Sequence, residues 1–170
     1  MQKLRIAALA AAAVLIVAAC GSGSPESHIA AGKAHAAKGD LNAAVIEYKN
    51  ALQKNPQSAE GRFLLGGVLL EQGNPLGAEA ELRRALEAKY PADEVAPVLA
   101  RALLEAGEQK KVIAEFGGVR LDTPQADATL RTTVGLAHLQ TNNQQAAAAA
   151  FADALKAKPG FVGARVGEAR

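Results

Sequence analysis

Residues of like character recur along this chain at a spacing of about 34. Gly39, Gly73 and Gly107 stand 34 apart, and Asn142 follows after 35. Gly32, Gly66, Ala100 and Gly135 keep the same spacing, as do Ala44, Ala78, Val112 and Ala147, and then Tyr48, Leu82, Phe116 and Phe151. Pro56, Pro124 and Pro159 close three units, while Pro91 closes the other one residue out of step. A period of this length means that one small supersecondary unit is repeated, each copy burying its apolar face on the next.

Each column has a physical role. A small residue early in a first helix lets a second helix approach closely. Glycine past the end of that helix takes the left-handed conformation without a Cβ penalty, and asparagine is the usual substitute. Alanine opens the second helix at a tight crossing, a bulky residue fills the space one turn later, and proline ends the unit because it cannot continue a helix interior. The pattern predicts helices near 26–38 and 41–54, 59–72 and 75–89, 93–106 and 108–116, and 126–141 and 143–157. Unit boundaries then fall at 26–58, 59–92, 93–125 and 126–160.

Unit three departs from the pattern. Val112 and Val119 stand where alanines are expected, Gly117-Gly118 should cut the second helix short, and Asp122-Thr123-Pro124 reads as a turn. A tolerated irregular loop explains this better than a hinge. Residues 161–170 resemble the opening of the second unit, with Arg165 where Arg62 stands. A fifth unit is therefore expected to begin there, and the array is expected to continue beyond it.

Ahead of the repeats, Lys3 and Arg5 precede a 14-residue apolar run, Ile6 to Ala19, too short to span a bilayer comfortably. Val17-Ala18-Ala19-Cys20 matches the bacterial lipobox, which implies cleavage of residues 1–19 as a lipoprotein signal peptide and acylation of Cys20. Residues 20–25 then form the acylated cysteine and a short flexible tether. Gly21 after the cysteine, rather than aspartate, implies an outer-membrane destination facing the periplasm under enteric-type sorting. Cys20 is the only cysteine, so no intrachain disulfide forms.

Lys3 and Arg5 account for the whole formal net charge of +2, which leaves 17 basic against 17 acidic residues after processing. That balance argues against nucleic acid as a partner and against a polybasic lipid-binding patch. With no Trp, four Phe and two Tyr, stacking platforms for bases or sugars are scarce.

The columns resemble tetratricopeptide repeats, which implies an all-α solenoid of helix-turn-helix units over roughly 26–159. Two stretches are more particular: Lys38 to Pro56 with Ala59 to Gly66, and Gly77 to Leu86 with Asp93 to Leu104, Gly107 and Lys111 to Glu115. With the lipobox, they are similar to the PEP-CTERM/exosortase-associated TPR-repeat lipoproteins, although this chain is much shorter. The resemblance implies an envelope scaffold linked to exopolysaccharide export or biofilm matrix. A pilus- or outer-membrane-assembly lipoprotein is the alternative, and the non-catalytic amino-terminal part of a longer envelope enzyme is a third reading.

No enzymatic chemistry is expected. His28, His35 and His138 fall at packing positions in units one and four and cannot share one metal site. Ser58 sits in a turn where helix capping explains it. Neither cofactor nor metal is expected, only the covalent lipid on Cys20. What remains is the concave surface lined by the first helices of such units, with Lys33, Phe63, Leu70, Glu71, Arg101, Leu104, Glu105, Thr132, Leu136 and Gln140 as candidate groove residues for a partner protein. Phe63, Leu70 and Leu104 serve equally well as contacts between adjacent units. A lysine/asparagine clamp for a terminal carboxylate is not expected, because unit one offers Ile29 and Lys33 at the matching positions.

Overall fold

The computed structural model describes residues 23–169. The expected signal peptide, Cys20 and the first part of the expected tether therefore lie outside the described residues. All regular structure among the described residues is helical: α1 (Pro25–Ala37), α2 (Leu41–Lys54), α3 (Ala59–Glu71), α4 (Pro75–Glu87), α5 (Ala92–Glu105), α6 (Gln109–Phe116), α7 (Pro124–Gln140), α8 (Gln144–Ala157) and α9 (Val162–Glu168). The first eight fall within two residues of the expected spans. They form four antiparallel hairpins in a row, each second helix also leaning on the first helix of the next unit. The architecture is an α-solenoid.

The glycine column makes the turns. Gly39, Gly73 and Gly107 have φ of +77°, +74° and +79°, and Asn142 has φ of +58°. In each turn, the amide after the left-handed residue reaches back five residues: Asp40 N–H to the His35 carbonyl, Asn74 to Leu69, Glu108 to Leu103 and Asn143 to His138. These Schellman bonds satisfy carbonyls that the helix end leaves open. Asp40, Asn74 and Asn143 then cap the second helices, each side chain accepting an amide three residues on. One turn thus ends a helix and starts the next.

The small and bulky columns meet directly. A Cβ built on Gly32 would lie 2.4 Å from the Tyr48 ring, one on Gly66 2.7 Å from Leu82, and one on Gly135 2.5 Å from the Phe151 ring. Tyr48, Leu82 and Phe151 are each at most 1% exposed. Three of the four hairpins close on this contact. Gly167 of α9 also meets the Phe151 ring, where a Cβ would lie 2.4 Å away. The helix expected to open a fifth unit thus packs on α7 and α8.

Three local features differ from the sequence-based expectation. Ser24 and Pro25 are not tether: the Ser24 side chain accepts the Ser27 amide and Pro25 is the first residue of α1. α4 ends with Lys89 at φ +67°, a left-handed stop that shifts Pro91 one residue along and accounts for its lost register. The third is a pair of buried charges at the close of unit three. Arg131, 2% exposed, donates from Nη1 to the Gly117 carbonyl at 2.9 Å, which caps the shortened α6. Asp127 lies 3.6 Å from Arg131 Nε and accepts the Leu121 amide at 3.1 Å. Asp93 accepts the amides of Asp122 and Thr123 at 3.1 and 2.7 Å. Side chains on α5 and α7 thus satisfy the backbone groups that the missing turn of α6 would have satisfied.

Adjacent glycines test the packing account. Gly66→Ala drives a methyl into Leu82 and should cost about 1–3 kcal/mol, as overpacked cores do. Gly67→Ala meets nothing within 4 Å and should instead stabilise by about 0.5–1 kcal/mol through helix propensity. Urea unfolding of the two variants reads the opposite signs. The turn after α6 should also respond to acid. The Thr123 amide, with help from that of Asp122, holds the Asp93 carboxyl below its usual range. A lowered folded pKa contributes stability that is complete above the ordinary Asp value of ~3.9 and is lost as pH falls through the lowered one. Exchange of the Thr123 amide, followed by NMR and corrected for intrinsic rate, should lose protection below about pH 4 while helix-interior amides keep theirs.

Candidate functional site

The first helices α1, α3, α5 and α7 lie side by side along one edge of the solenoid. Lys33 of α1 reaches Glu60 of α3 at 2.6 Å, and α5 packs on α7. Helical periodicity divides the candidate residues into two sets. One set points along the row, into the seam between neighbouring first helices. The other points away from both the seam and the second helices, onto an open face.

Most of the seam set was expected in the groove. Leu70 is 3% exposed and belongs to the core shared by units two to four, which corrects its assignment to the groove. Thr132 is corrected too: it is 9% exposed and its hydroxyl donates to the Ala128 carbonyl at 2.8 Å. Phe63 is half-buried and stacks on Tyr90, with ring centroids 4.6 Å apart and planes inclined by 18°. Leu104 packs half-buried on the same core. Of the two readings left open for Phe63, Leu70 and Leu104, packing between units describes all three.

The remaining candidates lie open or half-open. Lys33 pairs with Glu60, and Arg101 Nε donates to Glu105 at 2.9 Å on its own helix. Glu71 is exposed, Leu136 is half-buried, and Gln140 accepts an amide proton from Gln109 at 2.7 Å. Four residues of this surface were missed. Glu26 and Glu94 are exposed, and Leu64 and Val98 are half-buried on the same helices. A signal for the acids was present, since Glu26, Glu60 and Glu94 recur every 34 residues.

The acids set the potential there. Burial raises the Tyr48 pKa above its ordinary value, with Glu60 and Glu71 adding to the effect. Burial likewise raises Tyr90, with Glu94 next in importance. On the second-helix side, Arg83 holds Glu115 with two N–H donors at 3.0 and 2.9 Å and Glu79 with a third at 2.9 Å. That grip ties α4 to α6 and raises the Arg83 pKa.

Two of the histidines pair with acids in unit one. His28 Nδ1 sits 2.6 Å from Glu47 between α1 and α2, and His35 lies 3.5 Å from Asp40. Ser58 caps α3 by accepting the Gly61 amide at 3.1 Å. Among the described residues, no three His, Cys, Asp or Glu side chains converge as a metal site, and no helix is long and apolar enough to cross a membrane.

With this geometry in view, residues 29–94 match the tetratricopeptide repeat family model. The fold is that of a tetratricopeptide-repeat solenoid. A crystal structure of MamA is 23% identical, with a TM-score of 0.74 over 85% of this chain and 78% of that one. Pseudomonas aeruginosa PilF is 21% identical, with a TM-score of 0.73 over 85% of this chain and 66% of PilF. A tetratricopeptide repeat protein from Parabacteroides merdae is 25% identical, with a TM-score of 0.70 over 85% and 57% of the two chains. No curated protein matches the sequence. These likenesses concern the fold.

The division into seam and face is measurable. Phe63→Ala removes a ring stacked between units and should cost about 2–3 kcal/mol in urea unfolding. Lys33→Ala breaks an exposed ion pair and should change stability by less than ~0.5 kcal/mol.

Proposed function

We propose that this chain is a non-catalytic scaffold, anchored to the outer membrane through lipid on Cys20 and facing the periplasm, whose first-helix face holds a segment of a partner protein. The observation that carries the reading is that face itself: it runs across four units and mixes charged residues with Leu64, Val98 and Leu136, each of which packs in part on the core and stays half-exposed. Its mechanism is recruitment. A lipid tether confines the solenoid to one surface and raises the effective concentration of whatever it holds. Val17-Ala18-Ala19-Cys20 supports the anchor.

The stretches quoted from Lys38 to Glu115 favour a place among the proteins of an exopolysaccharide or PEP-CTERM/exosortase apparatus. A pilus- or outer-membrane-assembly role is the second reading, and the likeness of fold to PilF is compatible with it. Genes adjacent to the coding sequence separate the two. Fractionation tests the anchor. In the native host the wild-type chain should partition with membranes and take up radiolabelled palmitate, while Cys20→Ser should be soluble and unlabelled. Equal partitioning of both would sink the lipid anchor. Photo-crosslinkers placed at Leu64 and Leu136 should trap a partner that a crosslinker at Arg84 on the opposite side does not.

A further inference from the structure

The repeat fills one ionic position in the first two first helices and leaves it open in the next. Lys33 of α1 reaches Glu60 of α3, 27 residues ahead. One unit later, the equivalent pair is Gly67 and Glu94, again 27 residues apart. The acid is kept and the cation is gone. Gly67 has open space where a side chain would start, with nothing within 4 Å of a Cβ. Glu94 is exposed and receives only the Tyr90 hydroxyl at 3.3 Å, and no lysine or arginine pairs with it among the described residues. Arg101, the next residue in the lysine column, turns to Glu105 on its own helix rather than to Glu94.

Apolar side chains border this position. Leu64 and Val98 are half-buried on α3 and α5, and Leu136 continues the strip on α7. Glu71 is exposed one turn beyond Gly67. The open position therefore combines an apolar strip, a negative potential and a missing cation.

We propose that the partner segment carries a lysine or arginine that lies over Gly67 against Glu94, in the place that Lys33 takes against Glu60 one unit earlier. The proposal rests on the reading of the first-helix face as the binding surface. Neighbouring first helices sit about 8–10 Å apart, and a segment in the polyproline II conformation advances ~9 Å in three residues and returns each third side chain to the same face. A segment crossing the row therefore presents every third side chain to successive helices, with the cation among apolar neighbours.

The test uses two synthetic peptides, (Lys-Leu-Ala)3 and (Gln-Leu-Ala)3, titrated against residues 21–170 by fluorescence anisotropy at two salt concentrations. The basic peptide should bind at least about tenfold tighter than the neutral one, and the preference should shrink as salt rises. Glu94→Gln keeps the Tyr90 hydrogen bond and removes the charge, and Gly67→Lys supplies the missing cation from within. Both should erase most of that preference while leaving the helical circular dichroism intact. If both peptides bind equally and Leu64→Gln with Leu136→Gln abolishes both, the face binds segments and the cation proposal is overturned. If neither peptide binds, or both bind regardless of the leucine substitutions, the face is not the binding surface and the proposal falls with it.

Discussion

Three of the four hairpins of this solenoid depend on a side chain that is absent. At Gly32, Gly66 and Gly135 the first helix has no Cβ, and the second helix sets Tyr48, Leu82 or Phe151 into that space. Interiors packed to crystal density leave no room for the extra methyl. The bulky residue also meets the next unit, as Phe151 meets Gly167 of α9. Closing one hairpin therefore shapes the surface on which its neighbour sits, and the stack propagates from a contact made within each unit.

Stacking assigns the remaining faces of the first helices. One face is used by the hairpin partner and a second by the seam between successive first helices, which takes Leu70 and half of Phe63 and Leu104. Only a third face stays open. Its charges are few and unevenly matched, because the column that supplies Lys33 and Arg101 supplies Gly67 between them. The open face and its electrostatic bias are thus both left over once the repeat has buried what it must.

Much of this was legible in the amino-acid order. Columns at a fixed period report on contacts within a unit, and those contacts are identical from unit to unit, so helix spans and turn glycines could be read directly. Positions facing a neighbouring unit were harder. Leu70 and Thr132 share a helix with open residues, and which side of the helix the next unit covers depends on the angle between units, which no single column encodes. The buried Asp127–Arg131 pair was illegible for another reason: it compensates for a shortened α6, so it occurs once and has no periodic counterpart. Ser24 and Pro25 were hidden by their setting, since a glycine- and serine-rich run reads as tether until the capping bond is seen.

The claim that size matching between the two helices of a hairpin holds the array together is tested most directly by a double-mutant cycle on Gly135 and Phe151. Gly135→Ala should destabilise the native background and become neutral or favourable once Phe151→Ala has emptied the space, giving a coupling energy of at least ~1 kcal/mol in urea unfolding. Additive effects of the two substitutions, with a coupling indistinguishable from zero, would contradict the account.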